Sequence, residues 1–216
     1  IASNGAAGFY EGRVADLLVA EMKNGGGLIT HEDLANYRAV RRRPLTVGYG
    51  GARLFTNPPP STGGILIAFA LELLKGRNLK DETFGSFRHL STLAGVMELT
   101  NKARVESRLN EEGAAAASRL LDPGFLDAYR REVLGRPAAV RGTTHISVID
   151  RAGNAAALTL SNGEGSGYIA PGTGVMLNNM LGEEDINPRG FHRWPTNTRM
   201  ASMMAPSLVV ADDAGL

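Results

Sequence analysis

The residues best placed to do chemistry in this 216-residue chain are hydroxyls beside glycine. Gly142-Thr143-Thr144-His145 sets a Thr directly after a Gly and at the head of a strand-like run. A Thr hydroxyl is ordinarily a poor nucleophile. It becomes effective when Thr is an N-terminus, because a free α-amine with a pKa of ~7.7–8.0 can take the hydroxyl proton. That chemistry needs a cut between Gly142 and Thr143. The Thr hydroxyl can make the cut by attacking the preceding carbonyl, and Gly before it tolerates the distorted backbone. A plain strand start is the competing reading of the same four residues.

The other constellations are weaker. His31, His89, His145 and His192 are scattered, with no HxxxH or HExxH pattern, so no metal site is expected. The absence of Cys removes a thiolate metal site, a disulfide scaffold and a Cys nucleophile together. Gly165-Ser166-Gly167 and Gly172-Thr173-Gly174 suggest a phosphate loop, but no helix signal follows and no Gly-Lys-Ser/Thr occurs. In Gly163-Glu164-Gly165-Ser166-Gly167 the Ser is displaced from its place in a nucleophile elbow.

Composition narrows the class further. Hydrophobic residues are 43% and charged residues 21%, an ordinary globular balance that argues against disorder. The formal net charge is +1, so no global basic field draws the chain to nucleic acid or an anionic membrane. No run approaches the ~18 apolar residues of a membrane span, and no signal peptide is visible. Gly is 27 of 216 residues, above a typical ~7%, and it concentrates between Gly142 and Gly190. The chain opens at Ile1 rather than Met, and the expectation is a piece of a larger or processed protein.

Hydrophobic periodicity supplies the elements that must carry these residues. Phe9, Val14, Leu17, Leu18 and Met22 predict a helix over residues 3–24, stopped by Asn24-Gly25-Gly26-Gly27. Thr30 reads as an N-cap with Asp33 at N3, opening a short helix to Tyr37. Strands are expected at Ala39-Val40, Leu45-Val47 and Leu54-Thr56, followed by the loop Asn57 to Gly64. Helices are expected over 65–74, 83–109, 114–121 and 125–134, with an exposed linker at 135–142. Strands follow at 143–149 and 155–160, joined by Asp150 to Asn154 with Gly153 at a left-handed position. The chain thus reads as 1–142, mostly helical, then 143–216, rich in strands.

Several segments, in order along nearly the whole chain, resemble the gamma-glutamyltransferase (gamma-glutamyltranspeptidase) family. They are Thr143 to Ala155, Pro171 to Asn179, Arg199 to Pro206, Asn24 to Tyr37, and Pro58 to Gly64. The resemblance implies an α+β fold, the N-terminal-nucleophile hydrolase αββα sandwich, here partial. Residues 1–142 would be the C-terminal part of the large subunit, and 143–216 the N-terminal part of the small subunit. It implies a precursor that cuts itself at Gly142-Thr143, and a Thr143 that then attacks gamma-glutamyl amides of the glutathione type. The acyl group would pass to water or to an amine, without metal or organic cofactor. Ser161 and Asn162 fall near the family's Thr and Asn that support the nucleophile and the substrate carboxylate. Glu183 falls where the family has an Asp for the substrate's α-ammonium, and Ser202 matches the first of a Ser-Ser pair for the α-carboxylate.

The departures bear on specificity. The second Ser of that pair is Met203, a frequent Gln is Met180, and the Asp is Glu183. Each change weakens a polar pocket, so altered or relaxed gamma-glutamyl specificity is expected. An Arg clamp and a Gly-Gly oxyanion hole of the family fall outside these residues. The chain alone is therefore expected to be weak or inactive without the remainder of both subunits. Two alternatives stay open: a related cephalosporin- or glutaryl-type acylase, and a non-catalytic truncated homologue serving as an assembly partner. Ser161, Asn162 and Ser202 also read as turn caps, Glu183 as a solvated loop acid beside Glu184 and Asp185, and Pro58 to Gly64 as an architectural loop. The family resemblance favours a periplasmic or secreted protein.

Overall fold

A computed structural model describes residues 2–75, 77, 79, 82–130, 143–161, 165–184, 186–187, 189–190 and 192–212. Contacts divide the chain into two units, Ile1–Arg42 with Asn162–Met180, and Arg43–Ser161 with Leu181–Leu216.

In the first unit the expected long helix is two. α1 spans Ala7–Tyr10 and α2 spans Arg13–Gly25. Gly12 between them is extended (φ −113°, ψ −156°), and an extended residue ends one helix and caps the next. Gly26, left-handed at φ 73°, terminates α2 by returning its N–H to the Met22 carbonyl. α3 spans His31–Asn36 and carries the expected capping box. The Thr30 hydroxyl accepts from the Asp33 N–H at 3.2 Å, and the Asp33 carboxylate accepts from the Thr30 N–H at 2.8 Å. Tyr10 stacks on Tyr37, with centroids 5.3 Å apart. Ala39-Val40 forms no strand. Two short strands, β5 (Ile169–Ala170) and β6 (Val175–Met176), pair across a turn where Gly172 and Gly174 have positive φ. The Tyr168 hydroxyl donates to the Glu21 carboxylate on α2, and that bond raises the phenol's pKa above its usual value.

The second unit is built on α4 (Thr62–Leu74), whose sequence is apolar apart from Thr62 and Glu72 and which is mostly buried. Ile65, Phe69 and Leu73 of α4 form the core with Val96 and Leu99 of α5 (Phe87–Glu106). α7 (Ala114–Leu120) adds Leu120, and α8 (Pro123–Arg130) adds Leu126 and Tyr129. The helix expected over 83–109 starts at Phe87, where Ser86 caps it by accepting the His89 N–H at 3.2 Å. It ends at Glu106 because Arg108 turns left-handed (φ 55°), after which α6 runs over Leu109–Glu112. Asp122 opens α8 by accepting the Gly124 and Phe125 N–H groups at 2.9 and 3.2 Å. Beyond Arg130 the expected helix to residue 134 and the linker 135–142 lie outside the described residues.

Against this core lies an antiparallel sheet ordered β1-β2-β7, from Leu45–Tyr49, Ala52–Thr56 and Leu208–Ala211. Gly50 and Gly51, both at positive φ, make the two-residue turn between β1 and β2. β7 pairs with β2 from Phe55↔Leu208 to Ala52↔Ala211. The sheet therefore takes strands from both sides of residue 143. A separate hairpin joins β3 (Thr144–Ile149) to β4 (Ala155–Leu160), in the register Thr144↔Leu160 to Ile149↔Ala155.

Candidate active site

The hairpin places Thr143. Its five-residue loop is closed by Asp150, whose carboxylate accepts from the Ala152 N–H (2.8 Å), the Asn154 N–H (2.9 Å) and the Asn154 side-chain amide (2.8 Å). These bonds, the Asn154 side chain foremost, hold the Asp150 carboxyl below its usual pKa. Gly153 sits at φ 84°, as its place in the loop predicts. With that loop as the fixed point, pleat alternation puts residues 143, 145 and 147 on one face, opposite 161, 159 and 157.

That face is polar. The Thr143 hydroxyl lies 3.4 Å from the Ser161 Oγ, one rung beyond the last paired residues. On the next rung His145 faces Thr159, with Nδ1 2.8 Å from its Oγ1, and Nε2 is 2.9 Å from the Ser147 Oγ. One ring thus ties two hydroxyls, along its own strand and across to the neighbour. The opposite face carries Ile146, Val148, Leu158 and Leu160. Thr159 and Ser147 were not singled out in the sequence, although the period-two alternation around Thr143 was the signal for both.

Ser202 sits in a different setting. It forms an isolated parallel bridge with Ser61, just ahead of α4. Its carbonyl accepts from the Thr62 N–H at 2.9 Å and the Gly63 N–H at 3.4 Å. The Ser61 hydroxyl lies 2.8 Å from the Met204 carbonyl and 3.2 Å from that of Ser202. The Ser202 hydroxyl oxygen accepts from the Met204 N–H at 3.1 Å. Met203, at the departure from the Ser-Ser pair, is exposed, with its sulfur 2.9 Å from the Thr62 hydroxyl.

Glu183 is half-buried whereas Glu184 is exposed. Its carbonyl accepts from the Ile186 and Asn187 N–H groups at 3.2 and 2.9 Å. Asn187, buried, donates its side-chain amide to the Leu181 carbonyl (2.7 Å) and the Gly190 carbonyl (3.0 Å). Asn187 thereby pins the loop that carries Glu183, a role no sequence pattern announced. Gly142 and Asn162 lie outside the described residues. The structure thus joins Thr143 to Ser161, and Ser202 to the start of α4, while Glu183 is held by its own loop. Among the described residues, no three His, Asp or Glu gather as metal ligands, and no helix is long and apolar enough to cross a membrane.

This mixed α and β arrangement is shared with a solved structure. Cephalosporin acylase from Bacillus halodurans superposes with a TM-score of 0.76 at 24% identity, over 96% of this chain and 39% of that one. A model of the gamma-glutamyltranspeptidase family matches residues 1–215. The glutathione hydrolase proenzyme of Escherichia coli (strain K12) is 33% identical over 98% of this chain and 41% of its own length. The acylase ACY 1 proenzyme of Pseudomonas sp. (strain V22) is 29% identical over 98% of this chain and 40% of its own. The chain belongs to the gamma-glutamyltranspeptidase family. It spans about two fifths of the length of these relatives.

Proposed function

We infer that this chain is part of a self-processing amidohydrolase and acyltransferase acting on gamma-glutamyl amides, with Thr143 as nucleophile. The observation that carries the reading is Thr143 at the head of β3, its hydroxyl facing the Ser161 hydroxyl at 3.4 Å. In the precursor the Thr143 Oγ attacks the Gly142 carbonyl carbon, and the Gly142–Thr143 amide becomes an ester on Oγ. Water hydrolyses that ester, freeing the Thr143 α-amine and the Gly142 carboxylate. In turnover the amine takes the hydroxyl proton as Oγ attacks the substrate amide. The resulting ammonium protonates the leaving amine as the C–N bond breaks. Water or an acceptor amine then displaces the acyl group from Oγ, returning the proton to the hydroxyl.

Ser161 supports the nucleophile in this scheme. Ser202 takes the donor's α-carboxylate, Glu183 its α-ammonium, and Asn162 a further share of the carboxylate. The family's αββα sandwich is the finer fold this reading implies. The relative named a glutathione hydrolase proenzyme supports both the substrate class and the processing step.

A second reading is an acylase for donors with a less polar head group. The exposed Met203 beside Ser202 favours it, since a thioether stands where the family places a hydroxyl donor. The acylase proenzyme among the relatives supports it too.

Mass spectrometry of the purified full-length protein tests the main reading. Cleavage predicts a new N-terminus at Thr143, and Thr143→Ala abolishes both the cut and turnover of gamma-glutamyl-p-nitroanilide. A wild-type protein that stays joined at 142–143 after long incubation overturns it. Faster turnover of glutaryl-p-nitroanilide than of the gamma-glutamyl compound selects the acylase reading.

A further inference from the structure

The segment Ser61-Thr62-Gly63 does more than begin a helix. It encloses the backbone of Ser202 to Met204, about 140 positions away in the chain, with main-chain and side-chain bonds together. The donors and acceptors can be counted. The Ser202 carbonyl has two lone pairs and faces the Thr62 N–H, the Gly63 N–H and the hydroxyls of Ser61 and Thr62, so it is saturated. The Ser61 hydroxyl has one proton, and its shorter contact is to the Met204 carbonyl at 2.8 Å. Gly63 lets the two backbones meet, because a Cβ on it would stand 2.0 Å from the Met203 carbonyl oxygen. Ser61, Thr62 and Gly63 are all buried, whereas Ser202 and Met204 are half-buried, so these bonds are shielded from water on the α4 side.

The consequence falls on the Ser202 hydroxyl. Its oxygen already accepts the Met204 N–H at 3.1 Å. That bond occupies one of its two lone pairs and leaves the O–H proton to donate, a proton that an anionic oxygen can accept. The bond requires the Met204 amide to point back at Ser202. The Ser61 hydroxyl, holding the carbonyl of the same residue, restrains how Met204 is turned.

We propose that Ser61 is a positioning residue for substrate recognition: by fixing Ser202 and Met204 from the start of α4, it presents the Ser202 O–H to the carboxylate of the donor's head group. This rests on the assignment of Ser202 above. It adds that carboxylate selectivity is set by a buried side chain with no substrate contact of its own.

The test compares two probes by calorimetry on the full-length protein: L-glutamate, and 4-aminobutanoate, which is L-glutamate without its α-carboxylate. Ser61→Ala is expected to weaken L-glutamate by about 3- to 10-fold, the loss of roughly one hydrogen bond, and to leave 4-aminobutanoate within about twofold. In a Ser202→Ala background, Ser61→Ala is expected to add nothing, because it acts through the missing hydroxyl. Equal weakening of both probes, no weakening of L-glutamate, or full additivity with Ser202→Ala overturns the proposal. Should Ser61→Ala not fold, Ser61→Cys, nearly the same size with a weaker donor, is read against the same outcomes. If Ser202→Ala leaves L-glutamate binding intact, or the wild-type protein binds none, the Ser202 assignment itself fails. If Ser202→Ala weakens L-glutamate and Ser61→Ala does not, only the positioning role fails.

Discussion

Thr143 and Ser161 meet through their side chains at 3.4 Å, longer than the usual ~2.5–3.0 Å of a hydroxyl pair. Such a bond orients the nucleophile rather than activating it, since neither hydroxyl is a base at neutral pH. Ser161→Ala is therefore expected to keep self-cleavage and to lower turnover by about 2- to 10-fold, the worth of one neutral hydrogen bond. Steady-state rates on gamma-glutamyl-p-nitroanilide, set beside the cleaved fraction by mass spectrometry, check this. A loss as large as that of Thr143→Ala would make Ser161 part of the reacting group. Of this neighbourhood, the sequence singles out Thr143 by its place after Gly142, and Ser161 only through the family resemblance. His145 was legible only as part of the motif, because its two hydroxyl partners depend on strand register.

The β3–β4 hairpin is held to its register by its loop, and the loop depends on one carboxylate. Asp150 has its pKa lowered in the folded state, so its contribution to hairpin stability is complete above the ordinary value of 3.8. That contribution is lost as pH falls through the lowered folded-state value. Amide hydrogen exchange of β3 and β4, corrected for intrinsic rates, is expected to show faster exchange in Asp150→Ala at neutral pH. The difference between variant and wild type should shrink as pH falls below 3.8 and through the lowered folded-state value. A difference that persists there would mean that the carboxylate's charge is not what closes the loop. The hairpin itself was readable from alternation and from Asp150 to Asn154. The helix over 3–24 was not, because its apolar spacing runs on unbroken while the extended backbone at Gly12 interrupts the hydrogen-bond ladder. Similarly, Arg108 in a left-handed conformation ends α5 without any Gly or Pro to announce it.

Within the second unit, among the described residues, the β2–β7 ladder and the bonds from Ser61 to Gly63 onto Ser202 to Met204 bind the segment after residue 143 to the segment before it. Both are non-covalent and far from the proposed scissile bond in sequence. A cut at 142–143 would leave them in place. The two products are accordingly expected to elute together in native size-exclusion chromatography and to separate only in denaturant. Elution as separate species under native conditions would contradict a shared sheet. The helical core of the same unit sets its stability. Phe69, fully buried between α5, α7 and α8, should cost ~3–5 kcal/mol when replaced by Ala. Chemical denaturation measures this, and a loss below about 1 kcal/mol would show that Phe69 is not central to packing.

Local chemistry in the sequence was enough for the capping box at Thr30, the Asp150 loop and the apolar α4. Each depends on residues close together along the chain, where spacing alone dictates which groups can meet. The setting of Ser202, the pinning of Glu183's loop by Asn187 and the exchange of strands across residue 143 were decided by folding. Each joins or buries groups whose proximity depends on backbone path rather than spacing, and satisfying buried N–H and C=O groups selected the partners.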